Sequence, residues 1–162
     1  MTILRRAFVT ASIAWAVLLP SAPFAASQPS PARFWYALAF VVYGAGSFVC
    51  HQLPDRSFHL WAAQMPVCAR CTGIYMGAAV AAMVAMVRLP PSPLRGYGGP
   101  RKPDTTGRVR ALLAVAALPT AITLVYEWTT GDTPSNAIRA LAGAPLGAAV
   151  AFVIVRSLTP RA

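Results

Sequence analysis

Five stretches of this chain, residues 7–26, 34–49, 72–87, 111–126 and 140–155, contain no ionised side chain. Runs of that kind either fill the interior of a large domain or cross a lipid bilayer. With 162 residues, 57% of them hydrophobic and 11% charged, the chain has too little polar surface to cover such a core in water. The expected fold class is therefore all-α, a transmembrane helical bundle of four or five spans that contacts the lipid bilayer. The last four stretches have 16 residues each, about 24 Å of helix against a hydrocarbon core of roughly 30 Å, so they must borrow length from their flanks. Trp35, Tyr36, Tyr126 and Trp128 stand at stretch ends, where amphipathic rings favour the headgroup level.

Residues 1–33 form an N-terminal apolar segment and linker, followed by a membrane domain over 34–156 and a tail over 157–162. Arg5 and Arg6 before the apolar run, and Ala25, Ala26 and Ser27 after it, also match the order of a cleaved signal peptide. Pro20 and Pro23 are expected to break its helix. The stretch is thus read as an anchor, a signal or a non-spanning arm, separated from the rest by the Pro- and Ser-rich residues 27–33.

Fourteen Lys and Arg against four Asp and Glu give a net charge of +10, and six of the basic residues crowd the Pro- and Gly-rich loop 88–110. Beside a membrane, such a loop marks the cytoplasmic side. It also attracts anionic lipid, at roughly 1 kcal/mol per residue near the surface. Its only aromatic residue is Tyr97, so it lacks the stacking platform of a nucleic-acid binder, and no nucleic acid is expected. Four spans beginning at residue 34 place 11 basic residues inside and three outside; five spans place nine inside and five outside. Both arrangements put loop 50–71 on the outer face of the plasma membrane, whereas a spanning, signal-like first stretch with its N-terminus inside puts it in the cytoplasm.

All three Cys and both His of the chain lie between residues 50 and 71. Cys68 and Cys71 form a C-x2-C pair whose sulfurs can converge on one metal, and Cys50 can close the site from the end of the preceding helix. A histidine would complete a Cys3His tetrahedron. Strain between adjacent ligands favours His59 over His51. Zinc is the expected metal for thiolate and imidazole donors, and iron suits the same ligand types. A closed set of four donors makes the site structural or regulatory, while an open position beside Asp55 or Gln52 would allow catalysis.

Two other readings of the thiols stand beside this one. They can be small buried packing residues, or they can exchange disulfides, because the start of a helix and Arg70 both stabilise a thiolate. At this point the chain resembles the vitamin K epoxide reductase type of thiol oxidoreductase, without that type's second Cys pair. Cys50-His51-Gln52, then Arg56, Ser57 and Phe58, then Pro66 to Gly77 with its Cys-Ala-Arg-Cys-Thr-Gly-Ile-Tyr core, resemble a family of small predicted multi-pass membrane proteins of unknown function. The resemblance extends over roughly residues 40–150, with Glu127 where that family carries Asp and Ala142-Gly143 where it carries Thr-Gly. It implies Cys50, His51, Cys68 and Cys71 as motif residues, which moves the choice of fourth ligand to His51, and it implies no activity.

Arg56, Arg70, Glu127, Asn136 and Arg139 are the candidate supporting polar residues. Glu127 closes one apolar stretch and Arg139 opens the next, so a helical hairpin would pair them near one interface, where snorkelling into the headgroups is the commoner fate of such side chains. Ser135 and Asn136 read as caps of the last helix. Gly73-x3-Gly77 and Gly143-x3-Gly147 place small residues on one face of two helices, for packing within the chain or as the seam of a homodimer. A membrane-protein partner fits a non-enzymatic accessory subunit equally well. No phosphate loop, nucleophilic triad or carboxylate pair is present, so no nucleotide cofactor and no hydrolase chemistry are expected.

Overall fold

The computed structural model describes residues 3–29, 32–88 and 105–158. Most of the basic loop and the end of the tail lie outside these residues. Five helices follow one another: α1 (Ile3–Ala26), α2 (Arg33–Val49), α3 (Ala69–Arg88), α4 (Thr105–Thr130) and α5 (Asn136–Ser157). Between α2 and α3 the chain makes a 3-10 turn at Pro54–Arg56 and a hairpin of two short strands, β1 (His59–Leu60) and β2 (Ala63–Gln64), paired antiparallel.

Four of the helices, α1, α3, α4 and α5, are long and apolar enough to cross a membrane, and α2 with 17 residues is the short one. The helix α1 continues through Pro20 and Pro23, which sequence reasoning expected to break it. A proline removes one backbone hydrogen bond, but Pro23 is buried among the other helices and its carbonyl still accepts from Ser27 N at 3.0 Å. Pro119 and Pro145 likewise lie inside α4 and α5.

The contacts of α1 fix its direction. Near its start, Arg5 donates to the Ala85 carbonyl at 2.9 Å, and further along Trp15 meets Tyr75 edge to face. It therefore runs antiparallel to α3 and ends where α3 begins. Its Phe24 touches both Trp35, at the start of α2, and Trp61 of the hairpin, while Cys50 just past the other end of α2 meets Cys68. Both ends of α2 thus lie at the same end of the bundle, and α2 does not run the bundle's length. Counting apolar residues made 34–49 a span; with 17 residues α2 falls short of the four long helices, and it packs against α1 and the loop that follows it. Tyr36, Trp61, Tyr126 and Trp128 are exposed at that end.

The helices α3 and α5 run parallel in the tightest contact of the molecule. A methyl group built on Gly73 or Gly77 would overlap the backbone of Ala140 or Ala144, and one on Gly143 or Gly147 would overlap that of Arg70 or Ile74. The two small-residue faces are thereby used inside the chain. Because lipid is as apolar as the helices, such a pair is held by close van der Waals contact and not by exclusion of water. The helix α4 joins through Thr120, whose hydroxyl donates to the Ala142 carbonyl at 2.8 Å. At the far end Val9, Ala82, Ala85, Ala151 and Val155 form an apolar cluster; at the near end Leu19, Met65 and Val67 pack around Cys50.

Candidate metal centre

The chain leaves α2 at Cys50 with an extended backbone, and its N–H closes the helix on the Gly46 carbonyl at 2.9 Å. Gly46 allows the following loop to fold back: a methyl group there would strike the Pro66 carbonyl and the Gln52 amide. Gln52 takes a positive φ of 50°, uncommon for a residue with a side chain, and that side chain then acts as a clamp. Its Nε2 donates to the carbonyls of Tyr43 at 2.9 Å and Pro66 at 2.7 Å, while the Gln64 amide donates to the Gln52 carbonyl at 2.5 Å. The Tyr43 hydroxyl donates to the Gln64 carbonyl. The hairpin turns on Trp61 and Ala62, both at positive φ, the geometry that matches strand twist but that usually recruits Asn or Gly. These constraints deliver Cys68 to the first turn of α3 beside Cys50.

The sulfurs of Cys50, Cys68 and Cys71 all lie within 4.8 Å of one another. The Cys68 N–H donates to the Cys50 sulfur at 3.1 Å. A hydrogen bond from the Cys71 thiol is the largest effect on Cys68 and holds its thiol below the ordinary thiol range. Burial opposes that pull, and backbone N–H groups of Cys71 and Arg70 and the Cys50 side chain add to it. A thiolate at a helix start is thus stabilised at this position. Neither imidazole joins the three sulfurs. His51 lines the cleft onto which all three cysteines face, and His59 sits exposed on β1.

That cleft has a volume of about 200 Å³, and beside Val49, Gln52 and Leu53 its walls include three arginines, Arg56, Arg70 and Arg139. Behind them Glu127, only 6% exposed, gathers all three. Its Oε1 accepts from Arg70 Nη2 at 2.7 Å and from Arg139 Nε at 3.0 Å, and its Oε2 faces Arg56 Nη1 at 3.6 Å. Arg70 also donates to the Thr123 hydroxyl at 3.2 Å. The expected pairing of Glu127 with Arg139 is present, but buried instead of snorkelled, because Arg70 and Arg56 complete its shell from a different helix and loop. Sequence reasoning did not foresee this convergence. One signal was available: these are the only basic residues in 34–87 and 111–155, and Glu127 is the only Glu of the chain.

Of the two expected caps of α5, Ser135 performs the role, accepting from Ile138 N at 3.4 Å. Asn136 does something else. Its amide donates to the carbonyl of buried Ser57 at 2.9 Å and so ties α5 to the loop. Gly131, at φ 76°, ends α4 by donating its N–H to the Glu127 carbonyl at 3.1 Å, which turns the chain towards α5.

Four long apolar helices carrying a thiol cluster at one end define a small helical membrane protein. The chain belongs to the family described as predicted membrane protein, DUF2085, whose model matches residues 50–153. It is similar to the uncharacterized protein MJ1492 of Methanocaldococcus jannaschii, with 40% identity over 63 residues, which cover 39% of this chain and 40% of that relative. It is also similar to an uncharacterized protein of Methanothermobacter thermautotrophicus, 52% identical over 31 residues, 19% of this chain and 28% of the relative. The chain therefore spans less than half the length of either relative. No solved structure matches it.

Proposed function

We propose that Cys50, Cys68 and Cys71 bind a metal ion, zinc by the softness of the donors, with His51 as the fourth ligand from the shared cleft. The observation that carries this is the convergence of three sulfurs from two separate segments to within 4.8 Å. Tetrahedral zinc at a Zn–S distance near 2.3 Å needs sulfurs about 3.8 Å apart, within reach of that arrangement. The N–H of Cys68 on the Cys50 sulfur is the kind of outer hydrogen bond that orients and stabilises a thiolate ligand. Iron suits the same donors. Bound there, the ion would join the end of α2 to the start of α3 and hold the loop, a structural or regulatory role.

Four spans through α1, α3, α4 and α5 group ten basic residues with the N-terminus, the basic loop and the C-terminal end, against Arg33, Arg56, Arg70 and Arg139 at the thiol end. The positive-inside rule then assigns the thiols to the outer face of the plasma membrane. The test is elemental mass spectrometry on detergent-purified protein under reducing, chelator-free conditions, beside Cys68→Ser. One zinc or iron per chain in the wild type, lost in the variant, is the expected result, and metal-free wild type overturns it.

The approach of the Cys68 and Cys71 sulfurs to within 4.8 Å at the start of α3, with the Cys68 thiol lowered, favours a second reading, disulfide exchange. In it the Cys68 thiolate attacks a substrate disulfide and Cys71 resolves the mixed disulfide, leaving the substrate reduced and the Cys68–Cys71 pair oxidised. Metal-free wild type with a reversible Cys68–Cys71 disulfide would support it.

A further inference from the structure

The cluster around Glu127 is not electrically closed. Three guanidiniums carry +3 and the single carboxylate −1, leaving +2 among side chains that line one small cleft. A zinc bound by three thiolates would bring a net −1 and still leave an excess of positive charge. The deficit is sharpest at Arg139, which is 1% exposed. Its Nε is taken by Glu127, but its Nη1 and Nη2 are buried with no hydrogen-bond partner, and so is the Nε of Arg70; the one unpartnered acceptor beside them, Glu127 Oε2, is too few for these donors. Buried guanidinium N–H groups left without acceptors are costly, and each such group in a native structure calls for a counterpart.

We propose that the cleft is an oxyanion site that receives a phosphate-type group against the floor formed by Arg139, between Arg70 on one wall and Arg56 at the mouth. The chemistry matches the donors. With its Nε edge occupied, a guanidinium still presents the parallel Nη1 and Nη2 pair, the fork that grips two oxygens of a phosphate. Three arginines from a loop, the start of α3 and the start of α5 meet here, and one of them, Arg56, has a side chain 43% exposed beside the entrance and only a 3.6 Å pairing with Glu127. The ligand is either free phosphate or the headgroup of an anionic phospholipid, since the site lies at the end of the bundle that carries the exposed aromatic rings. The inference rests on the guanidiniums and holds whether or not the thiols bind a metal.

The experiment uses the full chain in detergent and in nanodiscs, with metal content recorded on the same samples so that loss of metal and loss of anion are read separately. Inorganic phosphate is titrated against chloride at constant ionic strength while thermal unfolding is followed. Native mass spectrometry counts phosphatidylglycerol retained from nanodiscs. The variants are Arg139→Lys, which keeps the charge and loses the fork, and Arg56→Gln at the exposed mouth, which leaves the buried pairs in place. Saturable stabilisation by phosphate, weakened about tenfold in Arg56→Gln as expected for one charge-assisted hydrogen bond, supports free phosphate as ligand. Retained phosphatidylglycerol that Arg56→Gln releases, without a response to inorganic phosphate, supports the headgroup. A wild type that answers phosphate no more than chloride and retains no more phosphatidylglycerol than Arg56→Gln overturns the proposal.

Discussion

The α3–α5 seam and the polar cap above it lie within a few helical turns of each other and are held by opposite means. In the seam nothing stands between two backbones: Gly73, Gly77, Gly143 and Gly147 bring the helices together with no polar side chain involved. In the cap almost everything is a long polar side chain, with Glu127 drawing Arg56, Arg70 and Arg139 from three segments and Gln52 clamping the loop. Lipid explains the division. It gives apolar helices no reason to associate except shape, and it admits charges only where other polar groups gather around them. The two regions meet at Arg70, whose carbonyl lies against Gly143 and whose guanidinium lies on Glu127. The seam is thus the base that positions the chemistry.

If that ordering is right, the seam should be the less forgiving region. Gly147→Val places a branched side chain against the Ile74 backbone, where there is no flexible neighbour to yield. Overpacking of a well-fitted contact costs about 1–3 kcal/mol and more where backbone must move, so loss of the folded protein is expected. Monodisperse Gly147→Val with an unfolding temperature near the wild type would show that α3 and α5 can separate without consequence. Next in size is Glu127→Gln, which keeps the shape of the carboxylate and removes the only charge that pairs with three arginines. Breaking a buried ion cluster from one side destabilises by about 3–5 kcal/mol. Denaturant unfolding in detergent should show a drop of that order, larger than for Arg56→Gln at the half-exposed rim. Equal losses would mean that the cap behaves as a solvated surface.

The same contrast decides what could be read in the chain before its fold was known. Cys50, Cys68 and Cys71 were legible because their clustering and C-x2-C spacing have few alternatives, and the structure brings their sulfurs together. The glycine pairs were legible because four-residue spacing fixes a helix face whatever the tertiary fold. The role of α2 was not. Apolar length distinguishes lipid from water but not a helix that runs the length of the bundle from one that does not. That difference appears only in Phe24 touching Trp35 and Trp61, and Cys68 touching Cys50. Pro20 and Pro23 misled for a related reason, since their cost to a helix depends on neighbours that local sequence does not name. Arg56 and Arg70 were visible as supporting residues, but their convergence on Glu127 joins positions 57 or more residues apart.

The smallest effect tests the joint between the two regions. Asn136 stands in the first turn of α5, at the head of the seam, and its hydrogen bond to the cap runs to the Ser57 carbonyl at 2.9 Å. Ser57 in turn donates to the Leu53 carbonyl at 2.9 Å and receives the Gln64 amide at 3.4 Å, so the bond anchors the loop that carries Arg56. Asn136→Ala removes the donor and leaves the Ser135 cap in place, so α5 should remain intact and global stability should fall by about 1 kcal/mol. The distinguishing readout is local. Amide hydrogen exchange should quicken at residues 53–58 and stay unchanged along α3 and α5, because the loop loses its tether while the backbone contact of the seam is untouched. Quickened exchange spreading into the α3–α5 seam would mean that the cap supports the helices, and would reverse the order in which the two regions depend on each other.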